Sequence, residues 1–182
     1  MYYYGYLSPI VKRRCRMIIL GIDPGLAIVG YGVIEYNKGR FRTLAYGAIT
    51  TPAHTAVEAR LAMIHREMNL LIDKYHPDEM AIEELFFNTN STTAIAVAEA
   101  RGVILLAAHL KGVRCFEYTP LQVKSSVVGY GKAEKKQVMM MVETILKLER
   151  APKLDDTADA LAIAICHAHT GGSILKNFYN LP

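Results

Sequence analysis

The chain has 182 residues, 52% of them hydrophobic, which suits one well-packed α/β domain and is too short for two ordinary ones. Its 21 Lys and Arg against 17 Asp and Glu leave a net charge of only +4, so nucleic-acid binding is permitted but must be argued from where the positive charges lie. Cys15, Cys115 and Cys166 are odd in number, widely spaced and free of CxxC pairing, which argues against a disulfide framework or a zinc site and suits a reducing cytosol; no apolar run approaches the ~20 residues that span a bilayer.

Residues 1–16 are tyrosine-rich and then basic (Lys12-Arg13-Arg14-Cys15-Arg16), the wrong order for a signal peptide. They read as a disordered extension, with Met17 as the expected physiological start, residues 17–172 as the single domain and 173–182 as a tail. Met17-Ile-Ile-Leu-Gly-Ile-Asp-Pro-Gly25 is a continuous apolar run that predicts a strand buried on both faces, ending in Asp23 and a Pro24-Gly25 turn. Gly30–Tyr36 and Phe41–Thr50 follow as strands joined by the hairpin signal Asn37-Lys38-Gly39-Arg40. From Thr55 to Tyr75, Leu61, Ile64, Met68, Leu71 and Ile72 recur at helical spacing, and His76-Pro77-Asp78 stops the helix before a strand at Glu79–Glu83. That crossover helix lets the fourth strand run parallel to the first.

A polar loop, Asn88–Thr93, leads into an Ala-rich helix from Thr93 to Leu110, whose small residues allow close approach of a second helix in the core or across a dimer face. Val113–Tyr118 reads as the fifth strand, Pro120 as the start of a helical turn, and Val127-Val-Gly-Tyr-Gly-Lys132 as a glycine-punctuated loop. Helices at Glu134–Leu148 and Asp155–His169 close the chain, stopped by Pro152 and Gly171-Gly172. Three meandering strands, then helix, strand, helix, strand and two helices, is the element order of the ribonuclease H-like fold: α/β, a five-stranded mixed sheet flanked by helices, with the first strand central.

Three acidic features fall where they can converge. Asp23 ends the first strand, Glu83 the fourth, and Asp156 and Asp159 stand three apart on one helical face. Carboxylates so placed repel and raise one another's pKa unless a cation neutralises them, which is why such clusters bind Mg²⁺ or Mn²⁺. Two hard cations held there suit attack of water on a phosphodiester. Each residue also has a plainer reading: Asp23 as a turn former, Glu83 or Glu84 as a solvated strand end, Asp155 and Asp156 as helix-capping acids. Asp159 is the hardest to explain so, because it interrupts an apolar helix. Lys124, Lys132, Lys135 and Lys136, interleaved with Ser and Gly between Gln122 and Gln137, form either a phosphate-approaching surface or a solvated helix end. Phe86 and Phe87, before a polar loop, could stack on an unpaired base or pack in the core. The six histidines lack zinc-site spacing and read as structural or surface groups.

Gly21-Ile-Asp-Pro-Gly25, Ala81-Ile-Glu83 with Phe86, Ala100-Arg-Gly-Val103, Val123-Lys-Ser-Ser-Val-Val-Gly129 and Asp156-Thr-Ala-Asp-Ala-Leu-Ala162 together resemble the RuvC family of Holliday junction resolvases, from Met17 to about His169. The resemblance implies a homodimeric endonuclease that nicks two opposing strands of four-way junction DNA, with RuvA and RuvB as partners in recombination and repair. It implies Asp23, Glu83, Asp156 and Asp159 as ligands of two Mg²⁺ per subunit, for which Mn²⁺ substitutes. It further implies Lys124 and Lys135 at the scissile phosphate and backbone, with Lys135 catalytic, Lys132 and Lys136 as added DNA contacts, Phe86 stacked at the opened junction centre, and the Thr93–Leu110 helix as the dimer contact. Actin-like ATPases and sugar kinases also place Asp-x-Gly after a first strand, but they need a second phosphate-binding half that 182 residues cannot hold. A noncatalytic junction-binding protein would favour fewer acids beside DNA phosphates.

Overall fold

The computed structural model describes residues 16–85, 91–149, 152 and 154–170. The expected terminal extension and tail, apart from Arg16, and Phe86 and Phe87 lie outside the described residues. The elements are β1 (Met17–Asp23), β2 (Ile28–Asn37), β3 (Arg40–Thr50), α1 (Val57–Tyr75), β4 (Glu79–Glu83), α2 (Ser91–Leu110), β5 (Arg114–Tyr118), α3 (Pro120–Val128), α4 (Lys135–Leu146) and α5 (Asp155–Thr170). One sheet runs in the order β3-β2-β1-β4-β5, with β1 antiparallel to β2 and parallel to β4. The first strand is central, as the element order predicts and as its apolar run before Asp23 suits.

Period-two alternation splits the core into two layers. Ile19, Ile34 and Ala81 face α5, α3 and α4, where they meet Leu161, Val138 and Val142. Leu20, Ile22, Val33, Met80 and Ile82 face the other way, onto Ile64 and Met68 of α1 and Ile104 of α2. Helix α5 is buried almost all round from Thr157 to Ala168, the pattern of a helix sunk in the core rather than laid on its surface. Its depth depends on two glycines. A Cβ on Gly21 would stand 2.1 Å from the Ala160 carbonyl oxygen, and one on Gly30 would stand 2.0 Å from that of Asp156. The helix backbone thus rests directly on β1 and β2, and its N-terminal carboxylates are carried to the end of β1.

Most boundaries fall within a residue or two of those read from the sequence. The exception is the stretch after β5. Pro120 opens a full helix, α3, rather than a single turn, and Val127 and Val128 belong to it; the loop begins only at Gly129, which takes the left-handed conformation (φ 94°). Thr119 caps this helix by accepting from the Gln122 amide, while Gln122 Oε1 accepts from the Thr119 amide, the reciprocal capping box that Thr-Pro-Leu-Gln encodes. Lys124 therefore rides on a helix and not on a loop. At α4, Lys147 in the left-handed region (φ 51°) ends the helix two residues before the expected Leu148. Among the described residues, no helix is long and apolar enough to cross a membrane.

Candidate active site

Asp23 is the last residue of β1, paired with Gly30 of β2. Because alternate side chains share a face, Asp23 follows Ile19 and Gly21 toward α5, and Glu83 follows Glu79 and Ala81 to that same face of β4. The two strands are parallel, with Ile22 opposite Ile82. Asp23 and Glu83 thus leave the sheet side by side, at the carboxyl ends of neighbouring strands. Helix α5 begins above them, with the Asp156 carbonyl over Gly30 and Asp159 one turn further on.

The charges are close enough to disturb one another. Burial, reinforced by Glu83, Asp159 and Asp156, pushes the Asp23 carboxyl up from an ordinary 3.8 to about 8, and Lys135 only partly offsets this. Burial and then Asp159 raise Glu83 against the opposing pull of Lys135 and Lys124. Asp159 is raised by burial too, although Lys135 works against the rise. The Lys135 ammonium, which burial alone would weaken, is held above its ordinary value by Asp159 and Asp155. Its Nζ lies 3.0 Å from Asp159 Oδ2 and 3.2 Å from Asp155 Oδ2.

A cleft of about 220 Å³ opens beside these groups, lined by Glu83, Asp159, Lys124 and Lys135 over an apolar floor that includes Val123, Val138 and Ile163. Among the described residues no three His, Cys, Asp or Glu side chains already stand as a metal-holding group. The donors nevertheless fit a hard divalent cation in kind and in charge: carboxylate oxygens from three elements, mutually destabilised, with one ammonium shared among them.

The structure brings together Asp23, Glu83, Asp156, Asp159, Lys124 and Lys135. Lys132, between α3 and α4, and Lys136, on α4, are exposed and do not line the cleft. Glu84 is exposed, which gives it the solvated reading that the sequence left open for either glutamate. Asp155 acquires a role its capping position did not suggest, as a second partner of Lys135. The apolar floor has its counterpart in the sequence in Val123, adjacent to Lys124, and Val138, three residues after Lys135. His167 is structural, as expected of the histidines, but as a fully buried hydrogen-bonded group rather than a generic one.

A ribonuclease H-like sheet whose strand ends and α5 gather carboxylates beside a lysine-lined cleft defines an enzyme of the nuclease class. The family model for crossover junction endodeoxyribonuclease RuvC matches residues 19–167. The RuvC of Alkaliphilus oremlandii (strain OhILAs) is 61% identical over 155 residues, covering 85% of this chain and 94% of that protein. T. thermophilus RuvC, solved in complex with Holliday junction substrate, superposes with a TM-score of 0.81 at 36% identity, over 85% of this chain and 94% of that one. The yeast mitochondrial Holliday junction resolvase, at 14% identity and a TM-score of 0.66 over 89% of this chain and 83% of that one, shares the fold. The chain belongs to the RuvC family of crossover junction endodeoxyribonucleases.

Proposed function

We infer that this chain resolves four-way DNA junctions by hydrolysing one phosphodiester in each of two opposing strands, leaving 5′-phosphate and 3′-hydroxyl ends. The observation that carries this reading is a cleft lined by Glu83, Asp159, Lys124 and Lys135, with the buried Asp23 carboxyl close enough to feel their charges, in a chain of this family. Asp23, Glu83, Asp156 and Asp159 are the residues that would hold Mg²⁺, two ions per subunit, with Mn²⁺ as a substitute. When bound, such ions supply a water of lowered pKa and neutralise the attacking and leaving oxygens.

The chain's own groups do the rest. Lys135, already shared between Asp155 and Asp159, offers its ammonium to the scissile phosphate as that phosphate gains charge. Lys124, across the cleft, holds an adjoining phosphate as a point charge. Val123, Val138 and Ile163 keep the floor dry, which strengthens each of these interactions. Lys132 and Lys136 extend the positive surface outward along the DNA backbone, and Phe86 stacks at the opened centre of the junction. The active unit is a homodimer, since two twofold-related sites match a junction of approximate twofold symmetry. RuvA and RuvB are its partners, and the protein works in the cytoplasm.

The test uses a synthetic four-way junction and a linear duplex, with Mg²⁺ or EDTA, for the wild type and Asp23→Asn. Expected are paired nicks in the junction alone, lost in EDTA and in the variant, while the variant still retards the junction on a gel. Equal cleavage of linear duplex, or a fully active Asp23→Asn, would remove the proposal. Binding without cleavage by the wild type would make the chain a junction-binding protein.

A further inference from the structure

The most heavily built polar arrangement outside the cleft lies between the opposite ends of the same two elements. His167 of α5 is fully buried and both its ring nitrogens are engaged. Nε2 lies 2.7 Å from Glu79 Oε2 and Nδ1 lies 2.7 Å from the Tyr118 hydroxyl. That hydroxyl is also 2.9 Å from Thr170 Oγ1, and Arg114 Nη2 donates to Glu79 Oε1 at 2.6 Å. Phe116 covers the imidazole, ring centroids 4.8 Å apart. A buried pair of this kind contributes little stability beyond what a packed apolar pair would supply. What it does supply is a fixed distance between two elements.

The distances match. Glu79 and Glu83 are four residues apart on β4, about 13 Å along a strand. His167 and Asp159 are eight residues apart on α5, about 12 Å along a helix. The strand that carries Glu83 and the helix that carries Asp159 are therefore pinned to each other one matched length away from the cleft. Between pin and cleft, α5 lies on the sheet with Ala160 and Ala164 against Gly21 and Leu161 over Gly32, apolar contacts without a hydrogen bond's directionality.

We propose that Glu79, His167 and Tyr118 form a register pin that sets the position of α5 along β4, and so the separation of Asp156 and Asp159 from Asp23 and Glu83. These are positioning residues and touch no substrate. A slip of one residue would move the α5 carboxylates by about 1.5 Å, and misplacements of about 1 Å at a reacting centre cost on the order of 10²-fold. The inference rests on the cleft being the divalent-cation site proposed above.

Two substitutions separate positioning from stability. Glu79→Gln keeps an oxygen that accepts from His167 Nε2, while Glu79→Met keeps the length and loses the bond. Mn²⁺ affinity is measured without DNA, from the free-ion electron paramagnetic resonance signal, and single-turnover cleavage is measured at saturating junction, well below each variant's melting temperature. Glu79→Met is expected to weaken Mn²⁺ binding and slow cleavage by about tenfold each, short of the ~10²-fold cost of a full one-residue slip because Tyr118 still holds the imidazole, with metal-free junction binding within about twofold of wild type. Glu79→Gln is expected to stay within about threefold on both readouts. A Glu79→Met protein that melts lower but binds Mn²⁺ and cleaves like the wild type would show a purely structural pair and overturn the pin. So would a Glu79→Gln protein as impaired as Glu79→Met. If Glu79→Met does not fold, Tyr118→Phe, which removes one of the two imidazole bonds, decides on the same readouts, with about a threefold loss expected in each and no loss overturning the pin. A wild type that binds Mn²⁺ yet cleaves no junction would remove the proposed function, and the Mn²⁺ comparison would still test the pin.

Discussion

At the residue scale, Asp23 shows how a site is tuned by the charges around it. An acid whose folded pKa is about 8, against 3.8 when free, keeps its proton longer in the folded chain than in the unfolded one. Between about pH 4 and pH 8 the folded state therefore binds more protons, and stability falls as pH rises through that window. Glu83 and Asp159 are also raised and act in the same direction. The Lys135 ammonium titrates above the window and adds no slope within it. In EDTA the melting temperature is expected to fall from pH 5 to pH 8, and Asp23→Asn is expected to flatten that fall and melt higher than wild type at pH 8. Mg²⁺ should raise the wild-type melting temperature more at pH 8 than at pH 6, because it requires the deprotonated acid. Melting curves across this range decide the matter, and an Asn variant with the full wild-type slope would contradict the assignment. Asp23 stood out in the sequence as a charge closing an apolar strand, but the Asp-Pro-Gly turn was an equal reading of it; its burial beside Glu83 and Asp159 was not legible there. Asp156 was not separable from a capping acid, since its nearness to Asp23, brought about where α5 meets β2 at Gly30, joins segments more than a hundred residues apart. His167 was opaque for that same reason: Glu79, its partner, lies 88 positions away.

At the element scale, strands and long helices announced themselves through period, and the central place of β1 followed from the element order and its apolar run before Asp23. Short α3 did not. Nine residues with two buried valines offer too little periodicity, and the capping box at Thr119 and Gln122 was the signal that could have revealed it. The contact that delivers the site is equally local in cause: Gly21 leaves room for the α5 backbone. Gly21→Ala would set a methyl 2.1 Å from the Ala160 carbonyl oxygen and 2.8 Å from the Ala164 Cβ, so either β1 or α5 must retreat. The expected cost is about 2 kcal/mol of stability, typical of overpacking. Because β1 carries Asp23 and α5 carries Asp156 and Asp159, either retreat parts the carboxylates, and single-turnover junction cleavage should fall by on the order of 10²-fold at temperatures where the variant is folded. Urea denaturation and cleavage assays on one preparation test both halves. A variant that is destabilised yet cleaves normally would show that α5 can rise from the sheet without disturbing the carboxylates.

At the scale of the whole molecule, the proposed cutting of two strands in concert calls for two copies of the cleft, and α2 carries a surface on which the proposed homodimer would pair. Ala100, Ile104, Ala107 and Ala108 bury one side of this helix against α1 and the sheet. Ile95, Gly102, Leu106 and Leu110 lie within a narrow arc on another side and are exposed, Leu106 by 51% and Leu110 by 65%. Three apolar side chains and a glycine over which a Cβ would meet nothing within 4 Å make a stripe that a second copy of the helix can cover at close range. The sequence left core packing and dimer contact as equal readings of this Ala-rich segment; Ala100, Ile104, Ala107 and Ala108 account for the first, and the exposed stripe leaves room for the second. Leu106→Glu would place a charge in the middle of the stripe without touching the core, so its fold and melting temperature should stay close to wild type. Sedimentation is expected to show a monomer. On a supercoiled plasmid with an extruded cruciform, the wild type should yield linear product, because both strands are cut within the life of one complex. The variant should accumulate nicked circles instead, since a lone subunit cuts one strand and the relaxed cruciform is reabsorbed before a second encounter. Linear product from a protein shown to be monomeric would mean that the two cuts do not depend on pairing through α2.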